Sequence, residues 1–115
     1  TNNRILDTAN IMSTKKKSFK ELISSPTTPV LVDFHATWCG PCQTLSPVVQ
    51  EVAREMGDQL KVIKVDVDRN QAAAQQFQIR GVPTLILFKG GKVLWRQSGL
   101  MTKRDLKASI QRALP

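Results

Sequence analysis

The sequence has few cysteines, few aromatic residues and no long apolar run. Only two of its 115 residues are cysteine, which excludes a small secreted scaffold held together by several disulfides. It has no tyrosine, four phenylalanines and two tryptophans, without the repeated basic–aromatic pattern of proteins that stack nucleic-acid bases. No apolar run approaches the roughly 20 residues that a membrane-spanning helix needs. These absences favour a globular domain that does not associate with membranes.

The charge is strongly basic, with 17 Lys and Arg against 9 Asp and Glu and a net charge of +8. The excess is spread along the chain, and residues 15–17 form its only run of three lysines. We interpret it as favouring solubility and acidic partners, and we expect no nucleic-acid partner. The first residues lack the pattern of a secretory signal, which favours a cytoplasmic protein, although an exported or mitochondrial chain would look the same after processing.

The hydrophobic pattern predicts alternating helices and strands. Predicted strands cover residues 30–34, 61–68, 84–89 and 92–97. Predicted helices cover residues 19–24, 70–81 and 103–114, and a further helix begins directly after Cys39, has its apolar face between Leu45 and Met56, and ends before Gly57. Local signals support these bounds: Ser18 and Glu21 have the spacing of a capping box, Asn70 and Thr102 are candidate N-caps, and Gly90-Gly91 has the form of a hairpin turn.

This order predicts one α/β domain, a mixed β-sheet with helices on both faces. The strand–helix–strand portion requires a parallel pair with a crossover, and the hairpin adds antiparallel strands. We expect the domain to cover residues 18–115. Residues 1–17 are expected to form an N-terminal tail, with an edge strand as an option within residues 9–13.

The chemistry of the chain is concentrated in residues 38–42, which read Trp-Cys-Gly-Pro-Cys. Cys39 falls where a strand ends and a helix begins, and the unpaired N–H groups there favour a thiolate, the species that attacks disulfides. Cys42 lies one turn inside the helix, so we expect it to be more buried and to resolve the mixed disulfide. Gly40 and Pro41 place no cation between the sulfurs, which favours a reductant over an oxidant.

Two other interpretations of the cysteine pair carry less weight. A Cys-x-x-Cys pair can be half of a zinc site, but structural zinc takes four protein ligands and His35 is the only histidine. Two purely structural cysteines are also disfavoured, because a strand-to-helix turn is where thiols are activated. We therefore expect no metal.

Asp33 is a carboxylate in the middle of an apolar strand. Strand alternation can turn it outward to solvent, or a partner such as Lys64 on a neighbouring strand can pair with it. Alternatively, burial raises its pKa and allows it to take a proton from Cys42 during resolution. The spacing alone leaves both interpretations open.

Several separated segments together resemble the thioredoxin family, over roughly residues 12–114. They are residues 32–34 (Val-Asp-Phe), residues 38–42, Pro47, residues 64–68 (Lys-Val-Asp-Val-Asp), residues 81–84 (Gly-Val-Pro-Thr) and Gly99. The pentapeptide at residues 38–42 is highly specific, and the distant Val-Pro-Thr at residues 82–84 makes a chance match implausible.

The resemblance implies a thioredoxin fold, a monomeric protein-disulfide reductase and roles for further residues. Asp33 and Lys64 match the family's buried carboxylate and its lysine neighbour. Pro83 matches a cis-proline beside the disulfide. An apolar rim that docks disulfide-containing client proteins is expected from Trp38, Gly40, Pro41, Val82, Pro83 and Gly99. Electrons would come from an NADPH-dependent thioredoxin reductase, and the chain itself would bind no cofactor.

Two residues depart from the common family pattern. His35 stands where many members have tryptophan; we favour a packing role for it over a titrating one. Gln43 replaces a residue that is usually basic.

Two other functions remain as alternatives to the reductase. The sequence is also compatible with an exported thiol oxidase or isomerase and with a non-catalytic scaffold subunit.

Overall fold

Five strands form the central sheet of the computed structural model, which describes residues 5–7 and 18–115 of the chain. The strands are β1 (Ile5–Asp7), β2 (Val30–His35), β3 (Lys61–Asp66), β4 (Thr84–Lys89) and β5 (Lys92–Ser98). Their order is β1-β3-β2-β4-β5, with β1, β3 and β2 parallel and with β4 antiparallel to both β2 and β5. The sheet is therefore mixed, as the sequence predicts.

Four α-helices accompany the sheet in the described part of the chain. They are α1 (Phe19–Ile23), α2 (Gly40–Met56), α3 (Gln71–Gln76) and α4 (Lys103–Ala113). The capping box of α1 is present: the Glu21 N–H donates to Ser18 Oγ at 3.2 Å, and the Ser18 N–H donates to Glu21 Oε1 at 2.9 Å. Thr102 caps α4 by accepting the N–H of Asp105. None of the described helices is long and apolar enough to cross a membrane.

The alternation of side chains along the strands creates two separate cores. One core packs α2 and α4 against the sheet and includes Leu31, Leu45, Val49, Val62, Leu106 and Ile110. The other packs α1 and α3 against the opposite face and includes Phe19, Val32, Phe34, Ala73, Ile86 and Phe88. Helices thus cover both faces of the sheet, which confirms the predicted α/β thioredoxin fold.

The predicted bounds around α3 are wrong. Strand β3 ends at Asp66 instead of residue 68, because Asp66 Oδ1 accepts the N–H groups of Asp68 and Arg69 and turns the chain. Asn70 does not cap α3 with its side chain; its Nδ2 donates to the Asp66 carbonyl at 3.0 Å instead.

Helix α3 ends five residues earlier than the sequence predicts. Its last residue is Gln76, and Gln78 adopts a left-handed φ of 53° that a helix does not continue through. The guanidinium of Arg96, in β5, donates to the carbonyls of Phe77 and Gln78, the latter at 2.9 Å. A residue from a distant strand therefore holds the two carbonyls that directly follow the helix.

An edge strand is present in β1, which pairs with β3 from Ile5 opposite Val62 to Asp7 opposite Lys64. The segment in which we expected an edge strand, residues 9–13, lies outside the described residues.

Candidate active site

The two cysteines are joined in a disulfide at the point where β2 leads into α2. Cys39 is the N-cap of α2, and its Sγ accepts the N–H of Cys42 at 3.1 Å. Pro41 lies in the first turn, where a missing N–H leaves no intrahelical bond unmade. The N-terminus of a 17-residue helix therefore points its free N–H groups and the positive end of its dipole at Cys39.

The predicted difference in exposure between the two cysteines is wrong for the disulfide form. Cys39 is 4% exposed and Cys42 is 5% exposed. Cys39 is covered because the loop before β4 comes close to it: its Sγ lies 3.7 Å from the carbonyl oxygen of Val82, and Val82 and Val67 pack against the cysteines. The asymmetry that remains is one of hydrogen bonding, since the N–H of Cys42 donates to Cys39 Sγ.

The loop that faces the disulfide contains a cis peptide bond between Val82 and Pro83, as the resemblance predicts. The N–H of Gly99 donates to the Pro83 carbonyl at 3.0 Å, which brings Gly99 next to this loop. Gly99 has a φ of +94°, a conformation that residues with a Cβ rarely adopt. Pro83 is buried, whereas Gly99 is exposed and Val82 is half-buried.

Trp38 is the largest exposed apolar residue beside the disulfide, with 70% of its surface accessible. Its indole Nε1 donates to Asp68 Oδ2 at 2.9 Å, which orients the ring. Gly40 and Pro41 are exposed as well. Sequence reasoning did not identify Leu100, which follows Gly99 and is 55% exposed; an apolar residue directly after a loop glycine was its only signal.

Asp33 is buried at 1% exposure in the core of the sheet, so the outward interpretation is wrong. It lies opposite Lys64 in the parallel register of β2 and β3, and opposite Leu85 on the other side. Its Oδ1 has no hydrogen-bond partner among the described residues. Burial raises the pKa of the Asp33 carboxyl to about 6, and the nearby charge of Lys64 partly opposes this shift.

A cavity of about 490 Å³ opens beside Cys42, and we call it the Cys42 cavity. Its walls include His35, Thr37, Cys42, Ser46, Gln50 and Lys64. Lys64 Nζ donates to Ser46 Oγ at 3.1 Å, which links β3 to α2 across the cavity. Because Lys64 is the register neighbour of Asp33, the cavity brings Cys42 and the lysine beside that carboxyl into one space.

In residues 5–7 and 18–115, no group of three or more His, Cys, Asp or Glu side chains is arranged to hold a metal ion. The disulfide is the redox-active group that the site itself supplies.

Comparisons with known proteins agree on one family. The family model described as Thioredoxin matches residues 10–112. The thioredoxin of Mycolicibacterium smegmatis is 48% identical over 99 residues, which cover 84% of this chain and 88% of the relative. A chloroplastic thioredoxin Y of Oryza sativa is 44% identical over 97 residues; these cover 84% of this chain and 58% of the relative's length. A bifunctional thioredoxin reductase/thioredoxin of Mycobacterium leprae is 45% identical over 97 residues, 84% of this chain and 21% of the relative.

Proposed function

This chain belongs to the thioredoxin family and is a dithiol–disulfide reductase, and we propose that it serves as a general reductase of protein disulfides. The observation that carries the proposal is the Cys39–Cys42 disulfide at the N-terminus of α2, next to the cis peptide bond at Pro83. The helix N-terminus stabilises a thiolate, and the adjoining loop offers a place for an extended client.

In the first step, the Cys39 thiolate attacks one sulfur of the client disulfide. A bond forms between Cys39 Sγ and that sulfur, the client S–S bond breaks, and the second client sulfur leaves as a thiolate that takes a proton from water. The position of Cys39 as N-cap supports this role, because the N–H of Cys42 already donates to its sulfur at 3.1 Å.

In the second step, Cys42 resolves the mixed disulfide. We propose that the Asp33 carboxylate takes the Cys42 proton, so that the Cys42 thiolate attacks Cys39 Sγ and expels the reduced client. The raised pKa of Asp33 supports this role, because a carboxyl that titrates near pH 6 accepts a proton more readily than an ordinary one. The positive charge of Lys64 stabilises the unprotonated Asp33 carboxylate and so offsets part of the cost of its burial.

We propose that clients dock on the exposed apolar surface around the disulfide. It consists of Trp38, Gly40, Pro41, Val82 and Gly99, with Pro83 as its buried support. The backbone of Val82 is available for pairing with an extended segment of the client, because its carbonyl oxygen lies beside Cys39. Leu100 extends this surface beyond Gly99. Such a surface suits many different client proteins, because apolar contacts and backbone pairing require no particular client sequence.

We propose that electrons come from an NADPH-dependent thioredoxin reductase, so the chain needs no bound cofactor of its own. The relative from Mycobacterium leprae, whose name joins thioredoxin reductase and thioredoxin in one protein, supports this pairing. A reductase with such a supply works in a reducing compartment, and we propose the cytoplasm. Exported and mitochondrial locations are the alternatives that a localisation experiment decides.

The test is reduction of insulin disulfides with NADPH and a thioredoxin reductase from a bacterial source. We expect NADPH consumption and insulin precipitation with the wild-type protein, and neither with Cys39→Ser. An inactive wild type beside an active control thioredoxin would contradict the proposal. Measurement of the reduction potential separates the reductase from an oxidase or isomerase, whose potential lies well above that of a reductant.

A further inference from the structure

We propose that the side chains of Thr84 and Ser98 position the loop that faces the disulfide, residues 81–83, for pairing with the backbone of a client protein. We call this loop the Val82 loop. Thr84 and Ser98 touch neither the sulfurs nor the client in this scheme, so they are positioning residues and not catalytic ones. The inference rests on the proposed function, because it concerns how the backbone of Val82 receives a client.

A chain of two hydroxyl hydrogen bonds ends on the Val82 loop. Thr84 Oγ1 donates to the Gly81 carbonyl oxygen at 2.6 Å, and it lies 2.9 Å from Ser98 Oγ. A hydroxyl has one proton to donate, and a carbonyl oxygen can only accept. Because the Thr84 proton is already given to Gly81, Ser98 is the donor to Thr84. The chain therefore runs from Ser98 through Thr84 to the Gly81 carbonyl.

The fold brings the two hydroxyls together and holds Thr84 in place. Thr84 is the first residue of β4 and lies opposite Ser98, the last residue of β5, in the antiparallel register. Residues directly opposite on neighbouring strands have their side chains within reach of each other. On its other side Thr84 pairs with Phe34 of β2, and it is only 1% exposed. Thr84 is thus a fixed, buried point from which a hydrogen bond reaches the loop.

The same end of β5 also holds the far side of the Val82 loop. The N–H of Gly99, which directly follows β5, donates to the Pro83 carbonyl at 3.0 Å. The carbonyls of the residues before and after Val82 are therefore both held, whereas the Val82 carbonyl oxygen lies 3.7 Å from Cys39 Sγ. Holding the two flanking groups fixes the position of the group between them, which is the one that a client meets.

An ordered loop favours clients that pair with it. When the loop is already fixed, less conformational entropy is lost as an extended client segment binds. Without the Thr84 hydroxyl, the carbonyl of the exposed Gly81 would be solvated by water, and the client would have to order the loop on binding. A small disulfide without peptide groups does not pair with the loop, so its reaction depends on the Cys39 thiolate alone. Thr84 and Ser98 should therefore favour protein disulfides over small ones.

The test compares second-order rate constants of the pre-reduced protein for two substrates, insulin and hydroxyethyl disulfide. Thr84→Val removes the hydroxyl and keeps the shape of the side chain. We expect it to reduce insulin about threefold to tenfold more slowly, as the loss of one hydrogen bond predicts, with an unchanged rate for hydroxyethyl disulfide. Thr84→Ser keeps the hydroxyl and is the matched control, with an insulin rate near that of the wild type. The reduction potential should be the same in all three proteins.

Ser98 provides a second pair of variants, and its exposed position keeps their effect on folding small. Ser98→Ala should slow insulin reduction about twofold, less than Thr84→Val, because Thr84 keeps its own bond to Gly81. Ser98→Thr keeps the donor and should match the wild type. If Thr84→Val fails to fold by circular dichroism, the comparison of Ser98→Ala with Ser98→Thr decides.

Three results would overturn the inference. The first is an unchanged insulin rate in Thr84→Val and Ser98→Ala. The second is equal slowing with insulin and hydroxyethyl disulfide, which would indicate a merely structural role, and the third is a Thr84→Ser that is as slow as Thr84→Val. In each of these cases the wild type still reduces insulin and the proposed function stands. A wild type that reduces hydroxyethyl disulfide but not insulin would instead contradict the proposed function, and the inference with it.

Discussion

The two faces of the central sheet are built from alternating residues of the same strands, yet they differ in polarity. The face under α1 and α3 is apolar, and its Phe19, Phe34, Phe77 and Phe88 rings contact one another edge-on or tilted with centroids 5.1–6.4 Å apart. The face under α2 holds Asp33, whose Oδ1 has no hydrogen-bond partner among the described residues. One face stabilises the fold, and the other contains a group that destabilises it.

The difference between the faces identifies Asp33 as a residue whose burial lowers the stability of the folded protein at neutral pH. A raised pKa means that burial disfavours the charged carboxylate, which costs free energy of folding at neutral pH. The same shift supports the proposed role of Asp33 as the proton acceptor for Cys42. The face that carries the four phenylalanines, which we call the aromatic face, offsets this cost through its packing. It lies on the other side of the sheet from Asp33, so stability and disulfide reduction should be separable by mutation.

The largest expected effect comes from breaking the aromatic face with Phe88→Ala. Phe88 is fully buried and packs against Phe19 and Phe77, so its removal leaves a cavity and should lower the free energy of unfolding by about 3–5 kcal/mol. Urea denaturation measures the loss. Insulin reduction well below the unfolding temperature should stay near the wild-type rate, and a parallel loss of specific activity in the folded protein would contradict the separation of the two faces.

On the opposite face of the sheet, Asp33→Asn tests whether the buried carboxyl lowers the stability of the protein. The pKa of Asp33 is raised from 3.8 to about 6, so the folded state binds the proton more tightly than the unfolded state. Its contribution to stability is present below about pH 4 and is lost as the pH rises through 6. The amide cannot ionise, so the variant should be more stable than the wild type by about 3 kcal/mol at pH 8.

At pH 3.5 the stability difference between Asp33→Asn and the wild type should nearly vanish, and denaturation at both pH values checks the sign. Client reduction at pH 8 should be slower, because Cys42 loses its proton acceptor. A difference in stability between the variant and the wild type that is the same at both pH values would show that Asp33 is not destabilised by burial.

The smallest expected effect on stability comes from the N-terminus of α1, the helix that covers the aromatic face. Ser18→Ala removes the side-chain oxygen that accepts the Glu21 N–H in the capping box of α1 and should cost about 1 kcal/mol. Ser18→Asn, which keeps a capping oxygen, is the matched control and should stay near the wild type. Activity should be unchanged in both. Equal losses in the two variants would assign the effect to something other than the cap.

Sequence information sufficed where the interactions are local. The caps at Ser18 and Thr102 join residues three apart, and the Gly90-Gly91 turn has positive φ at both glycines. The end of α3 was not predictable in this way, because the chain just after it is held by Arg96, which donates to the carbonyls of Phe77 and Gln78 from 19 and 18 positions further along the chain.

The same distinction applies to the site. The pairing of Cys39 with Cys42 is a property of one helical turn, and the sequence predicts it. The burial of Cys39 depends on Val82, 43 positions away. The environment of Asp33 depends on the register of β2 with β3 and β4, which the spacing of residues does not determine. Both properties arise from packing between distant segments, which a single sequence does not display.

The division of roles between the two sulfurs is tested most directly by trapping. Incubated with an oxidised client such as insulin, Cys42→Ser should accumulate a stable mixed disulfide through Cys39, because no second thiol completes the exchange. Cys39→Ser should accumulate little, and a reductant should release the trapped client. A mixed disulfide that forms through Cys42 as readily as through Cys39 would contradict the account.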